Sequence, residues 1–135
     1  MDTIHLRVRD GQVEDAGSWL YVWVRAGGEV VHVGGTGLAP QVRTWLHLHH
    51  DDPAVGRVAA RHPGAATEAL DVHACRIPDG VDRAAARAEL VARLAARGRL
   101  GAAYVGEPPE PVDSPDEVRR VVDEVEQELR DVLGA

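Results

Sequence analysis

The stretch from Trp19 to His47, WLYVWVRAGGEVVHVGGTGLAPQVRTWLH, constrains the fold of this chain more than any other. Leu20, Val22 and Val24 alternate with Trp19, Tyr21 and Trp23, the period-2 pattern of a half-buried strand. On that pattern the aliphatic residues face a core and the aromatic ones share the other face. Ala26-Gly27-Gly28 supplies a tight hairpin turn, because glycine tolerates positive φ. Glu29 to Gly34 reads as the return strand, with Val31 and Val33 on one face and Val30 and His32 on the other. Gly34-Gly35-Thr36-Gly37 is expected to break that strand. Pro40 then opens a helix, at a position where its missing N–H is harmless.

The flanking segments fit around this unit. Thr3 to Arg9 alternates Ile4, Leu6 and Val8 against His5, Arg7 and Arg9, which predicts a strand at a sheet edge, with Asp10 to Gly17 as a polar connection. Asp51-Asp52-Pro53 caps a short helix running to about Arg61, stopped by His62-Pro63-Gly64. Leu70 to Ile77 alternates as another strand. Pro78-Asp79-Gly80 turns the chain into an Ala/Arg/Leu helix over 81–97. Residues 1–106 thus form one domain of the α+β class: a small antiparallel three-stranded sheet flanked by helices, with the N-terminal segment as a possible extra edge strand.

Residues 107–135 differ in character. Glu107-Pro108-Pro109-Glu110-Pro111 is a stiff, extended linker. Ser114-Pro115-Asp116-Glu117 has the form of a capping box. Val118, Val121, Val122, Val125, Leu129 and Val132 then make one apolar stripe at helical spacing. That stripe either packs back on the domain, the expectation for so short a helix, or forms the seam of a homodimer.

Composition narrows the partners. The chain has 135 residues, 44% of them hydrophobic, enough for one core. No run is apolar and long enough to span a bilayer, and the N-terminus is too polar for a signal peptide, so no membrane partner is expected. A single cysteine, Cys75, forms no internal disulfide and is expected to be a buried small residue; a cytoplasmic location follows as the default. The absence of Lys beside a heavy Ala, Gly, Val and Arg load points to a GC-rich bacterial genome. A net charge of −7 opposes nucleic-acid binding, which needs positive surface. Its distribution softens the objection. From Gly106 onward there are ten carboxylates against three arginines, so this segment holds the whole net charge and the preceding residues are formally neutral.

The central stretch resembles the catalytic core of the GIY-YIG nuclease family. Leu20-Tyr21 stands for the end of Gly-Ile-Tyr, and His32-Val33-Gly34, ten residues beyond Tyr21, stands for Tyr-Ile-Gly. Gly34-Gly35-Thr36 matches the Gly-x-Thr that follows. Arg43 falls at the helix Arg position, with His47 four residues on, and Glu89 in ARAELVARL fits a metal-binding Glu on a later helix. The resemblance covers roughly residues 18–100. The chain departs from the pattern at Trp19 in place of the first Gly, at His32 in place of the second Tyr, and in lacking any Asn.

The resemblance implies metal-dependent hydrolysis of DNA. Glu89 would hold one Mg²⁺ or Mn²⁺ ion, Arg43 would contact the scissile phosphate, and Tyr21 or His32 would take a proton from water. His47 would tune Tyr21 by hydrogen bonding. A His suits the role of base, because its unperturbed pKa lies near neutrality. Gly35 and Thr36 in the loop, and Trp19 and Trp23 if exposed, would contact the nucleic acid. DNA binding would be weak and would weaken further with salt. The alternative is a degenerate domain of this type that binds nucleic acid or another protein without cutting. In that alternative Arg93 pairs off Glu89 at i,i+4, or the final helix lies across the site. A second constellation, His47, His49, His50, Asp51 and Asp52, has zinc-ligating residue types, with a solvated helix end as the simpler reading.

Overall fold

The computed structural model describes residues 17–49 and 69–133, together with 8–9, 12–13, 58 and 61. It has α+β architecture. Strands β1 (Val8–Arg9) and β2 (Gln12–Val13) form a small antiparallel pair. Strands β3 (Ser18–Arg25), β4 (Val30–Thr36) and β5 (Leu70–Ile77) form an antiparallel sheet in the order β4-β3-β5. Helices α1 (Pro40–His49), α2 (Arg83–Ala96) and α3 (Asp116–Leu133) complete the fold.

Three expectations are corrected at the N-terminal side. Val8–Arg9 pairs with Gln12–Val13 in a sheet of its own rather than extending the main sheet, and part of the expected connection is therefore strand. Residues 3–7 of the expected edge strand lie outside the described residues. Gly34 to Thr36 continues β4 instead of breaking it, because Tyr21, Leu20 and Trp19 of β3 pair with Gly34, Gly35 and Thr36.

The expected faces of β4 also change. Trp23 pairs with His32 and Val24 with Val30, so Val31 is an extra residue in a β-bulge. The bulge sends Val31 to the cluster of Tyr21 and Trp23, whereas Val30 and Val33 join the cluster of Leu20 and Val22. Val31 and Val33 therefore do not share a face.

The sheet is covered on both sides. Leu20, Val22 and Val24 pack with Leu90 and Leu94 of α2 and with Val118, Val122, Val125 and Leu129 of α3. Tyr21, Trp23 and Val31 pack on the other face with Val58, and Leu48 of α1 packs against them. The half-buried reading of β3 thus gives way to burial on both faces, and the aromatic side is a second, smaller core. Of the helix expected to end near Arg61, Val58 and Arg61 are described and helical; the remainder lies outside the described residues.

The C-terminal stripe is resolved by the same geometry. Val118, Val121, Val122, Val125 and Leu129 belong to the core that contains Leu20 and Leu90, so α3 packs back on the domain. Arg93 ties the two helices together. It reaches Glu89 on its own helix at 3.2 Å and Asp123 and Glu126 on α3 at 2.5 and 2.9 Å. Asp82 caps α2, its carboxylate accepting from the Ala85 N–H at 3.0 Å.

A short segment after α2 closes part of the outer edge of β4. The Val30 N–H donates to the Arg99 carbonyl at 2.9 Å, and the Val105 N–H donates to the Val31 carbonyl at 2.6 Å. Beyond Val31, the edge of β4 borders a cleft. Among the described residues, no helix is long and apolar enough to cross a membrane.

Candidate anion-binding cleft at the edge of β4

Gly34 determines where Tyr21 points. The two residues are paired across β3 and β4, and a Cβ on Gly34 would collide with the Tyr21 ring carbons and hydroxyl. The ring therefore lies across the bare Gly34 backbone and carries its hydroxyl over β4 to the sheet edge. There the hydroxyl is hydrogen-bonded to His47 Nε2 at 2.6 Å. His47 comes from the inner face of α1 and is fully buried, with its ring edge-on to Tyr21, Trp23 and His32. With a proton moving from the phenol to the imidazole, this pair has the geometry of a base beside a hydroxyl.

His32 completes the buried cluster. Its Nδ1 lies 2.5 Å from the Val105 carbonyl oxygen. A carbonyl only accepts, so Nδ1 carries the proton and the neutral ring keeps its lone pair on Nε2. The segment that closes the β4 edge thus also fixes the His32 tautomer.

Tyr21, His32, Val33, Gly34 and Gly35 form the floor of a cleft of about 230 Å³, with Arg43 contributed by α1 and Arg83, Ala84 and Arg87 by α2. The helices that supply these arginines pack on opposite faces of the sheet, so the cleft straddles the β4 edge. Gly35 makes room for one of them: a Cβ there would lie 2.8 Å from Arg83 Cγ. Arg83 Nη1 donates to Ser18 Oγ at 3.5 Å, and Arg87 Nη2 to Glu107 Oε2 at 3.0 Å. Among the described residues, three guanidiniums and no carboxylate line the cleft.

The sequence-predicted residues divide accordingly. Tyr21, His32, Gly35 and Arg43 line the cleft, and His47 lies directly behind it. Glu89 does not line it. It is 8% exposed and faces α3 through Arg93, on the flank of α2 away from Arg87. Thr36 is buried, and its hydroxyl accepts from the Leu38 N–H at 3.0 Å, closing the turn into α1. Trp23 is 1% exposed within the smaller core and is not offered to a base. Trp19 is half-buried. The large aromatic residue that is exposed is Trp45 on α1, at 59%, its ring 5.0 Å from that of His49.

Sequence reading missed Arg83 and Arg87. Their signal lies in the phase of α2. Ala86, Leu90 and Leu94 mark its buried stripe, Arg87 flanks it on one side, and Glu89 and Arg93 flank it on the other.

The described lining of the cleft offers a divalent cation no carboxylate. Magnesium takes oxygen ligands with at least one carboxylate, and three guanidiniums raise the local positive potential. Among the described residues no group of three His, Cys, Asp or Glu side chains is arranged to hold a metal. His50, Asp51 and Asp52 of the second constellation lie outside the described residues, and His47 is taken up by Tyr21.

Two further groups have displaced pKa values. Burial, aided by the Glu128 carboxylate, pushes the half-buried Cys75 thiol up and keeps it protonated near neutrality, in line with a packing role. Burial also pushes the Tyr104 phenol up, with Arg87 acting against the shift and Glu107 adding to it. Comparison of the chain with protein-family models, with curated proteins and with solved structures finds no match.

Proposed function

We propose that this chain is a GIY-YIG-like domain that binds the phosphodiester backbone of nucleic acid in the Tyr21 cleft and does so without a metal ion. The observation that carries this reading is the lining itself: among the described residues, Arg43, Arg83 and Arg87 converge around a tyrosine and a histidine with no carboxylate between them. Guanidiniums match phosphate oxygens in charge and in forked geometry. The Glu107 carboxylate is held by Arg87 and sits where a ligand anion would compete with it. Glu89, the residue that would have held the ion, is engaged by Arg93 between α2 and α3. This matches the non-cutting alternative set out from the sequence.

A second reading, metal-dependent hydrolysis of DNA with Mg²⁺ or Mn²⁺, draws on one specific observation. Tyr21 and His47 are in contact at 2.6 Å, as a phenol prepared to lose its proton requires.

Fluorescence anisotropy with single-stranded, duplex and branched oligonucleotides, in EDTA and in Mg²⁺, separates the two. Binding is expected to be equal in both buffers and to fall with salt, with a log–log slope of about −2 for two to three neutralised phosphates on a single strand. Replacing Arg87 with Gln should flatten the slope by about 1. Cleavage in Mg²⁺ that is lost in Glu89→Ala would replace the binding reading with the hydrolytic one. Absence of binding at low salt would remove nucleic acid as the partner.

A further inference from the structure

Arg87 belongs to two cavities at once. On one side it lines the cleft of Tyr21, and on the other it borders a groove of about 320 Å³. The walls of this groove are Val91, Tyr104, Pro108 and Val112, with Glu107 and Glu110 at its rim. Tyr104 packs against the larger core on one side and lines the groove on the other. Its hydroxyl donates to the Glu107 carbonyl at 3.1 Å, which fixes the ring. Val112 is 37% exposed, more than its apolar character favours.

We propose that this groove is a subsite for one unpaired nucleobase, whose adjoining phosphate is held by Arg87 in the neighbouring cleft. The proposal rests on the phosphate-binding reading. A nucleotide unit is an anion joined to a flat ring that is apolar on its faces and polar at its edge. The two cavities present those features side by side: guanidiniums in the cleft, and an aromatic ring, aliphatic walls and the Glu110 carboxylate in the groove, with Arg87 shared between them. Tyr104 and Pro108 suit the faces of the base. Glu110 suits the exocyclic amino groups of adenine, cytosine or guanine, because a carboxylate accepts from such donors; thymine and uracil have no such group. A base within a duplex is stacked on both sides and paired at its edge, so the ligand class is single-stranded nucleic acid or a base turned out of a helix.

The test compares two single-stranded DNA 12-mers of equal charge, one intact and rich in adenine and cytosine, the other with a central run of abasic sites. Anisotropy of the full-length protein at low salt is expected to show the intact strand bound about five- to tenfold more tightly, the scale of stacking one base on an aromatic residue. An all-thymine strand should fall between the two. Tyr104→Ala should abolish the difference between intact and abasic strands, and Tyr104→Phe should retain most of it. Quenching of 2-aminopurine in an intact strand by the wild-type protein gives a readout that needs no variant. Equal affinity for intact and abasic strands, with no quenching, would overturn the base subsite and leave the phosphate reading standing. Failure of both strands to bind would overturn both readings.

Discussion

Tyr21 and His47, on a strand and a helix 26 residues apart, share a hydrogen bond of 2.6 Å in a position where neither is more than 4% exposed. A buried polar pair of this kind is maintained only while both partners are present. Tyr21→Phe should lower stability by about 1–2 kcal/mol, because it removes the hydroxyl and preserves the ring's packing. His47→Ala should lower it by about 3–4 kcal/mol, since it opens a cavity beside Trp23 and orphans the phenol as well. Urea denaturation of the two variants gives both values. Equal losses would mean that the ring of His47 contributes nothing beyond the bond.

Gly34 is required by the ring that crosses it. Gly34→Ala should therefore lower stability by about 2–3 kcal/mol, as expected for an inserted group with no space to fill. In a Tyr21→Ala background the same change should become nearly neutral. A double-mutant cycle by thermal or urea denaturation measures this coupling. Additive losses would show that Gly34 serves β4 for another reason.

Arg93 holds three carboxylates, and its own ionisation is displaced by them. Burial pulls its pKa down, and the hydrogen bonds it donates to Glu126, Asp123 and Glu89 more than offset that, so the net direction is up. A cation whose folded pKa is raised contributes stability that is fully present below its unfolded pKa and is lost only as pH rises through the folded value. For an arginine that window lies above any working pH. Arg93→Gln should thus lower stability by about 2–4 kcal/mol at pH 7, by leaving the buried Glu89 without its cation and Glu126 with Arg97 alone. The loss should be the same at pH 7 and pH 9. Adding Glu126→Gln should recover part of it. Denaturation midpoints at the two pH values check both statements.

Glu107 neutralises Arg87 from the exposed linker, at 69% side-chain exposure. Removing its charge should release that guanidinium for phosphate. Glu107→Gln should tighten binding of single-stranded DNA by about two- to fivefold at low salt, with stability unchanged within about 0.5 kcal/mol, because an exposed ion pair contributes little. The affinity gain should shrink as salt rises. Anisotropy titrations at two salt concentrations decide it; unchanged affinity at low salt would place the phosphate beyond reach of Arg87.

The elements of the fold were legible in the sequence because local signals agree with their tertiary roles. Alternation marked β3 and β5, Pro40 opened α1, the Ala/Arg/Leu run marked α2 within two residues of its ends, and the valine stripe announced α3 as a packed helix. Tyr21, His32, Arg43 and His47 were legible as a group through the resemblance of their order to the GIY-YIG motifs, and one hairpin and one helix bring them together. What escaped was long-range. Aromatic residues opposite aliphatic ones suit a half-exposed strand as well as a fully buried one, and only packing around Val58 distinguishes them. The bulge at Val31 leaves no mark in a run of valines. Arg83, Arg87 and Glu89 are close in sequence, and two of them face the cleft while one faces α3. The rotation of α2 about its axis decides between them, and that rotation is set by contacts with both β4 and α3.

The position of α3 has a consequence for how the molecule meets a charged partner. The helix lies over the β5 side of the sheet and keeps Asp116, Glu117, Asp123, Glu124 and Glu128 exposed, while the arginines of the cleft gather at the β4 edge. The described charges are thus divided across the sheet, acidic on the α3 side and basic at the β4 edge. If the cleft takes phosphate as proposed, a polyanion repels the first and attracts the second before contact. A chain of net negative charge would then still be turned cleft first on approach.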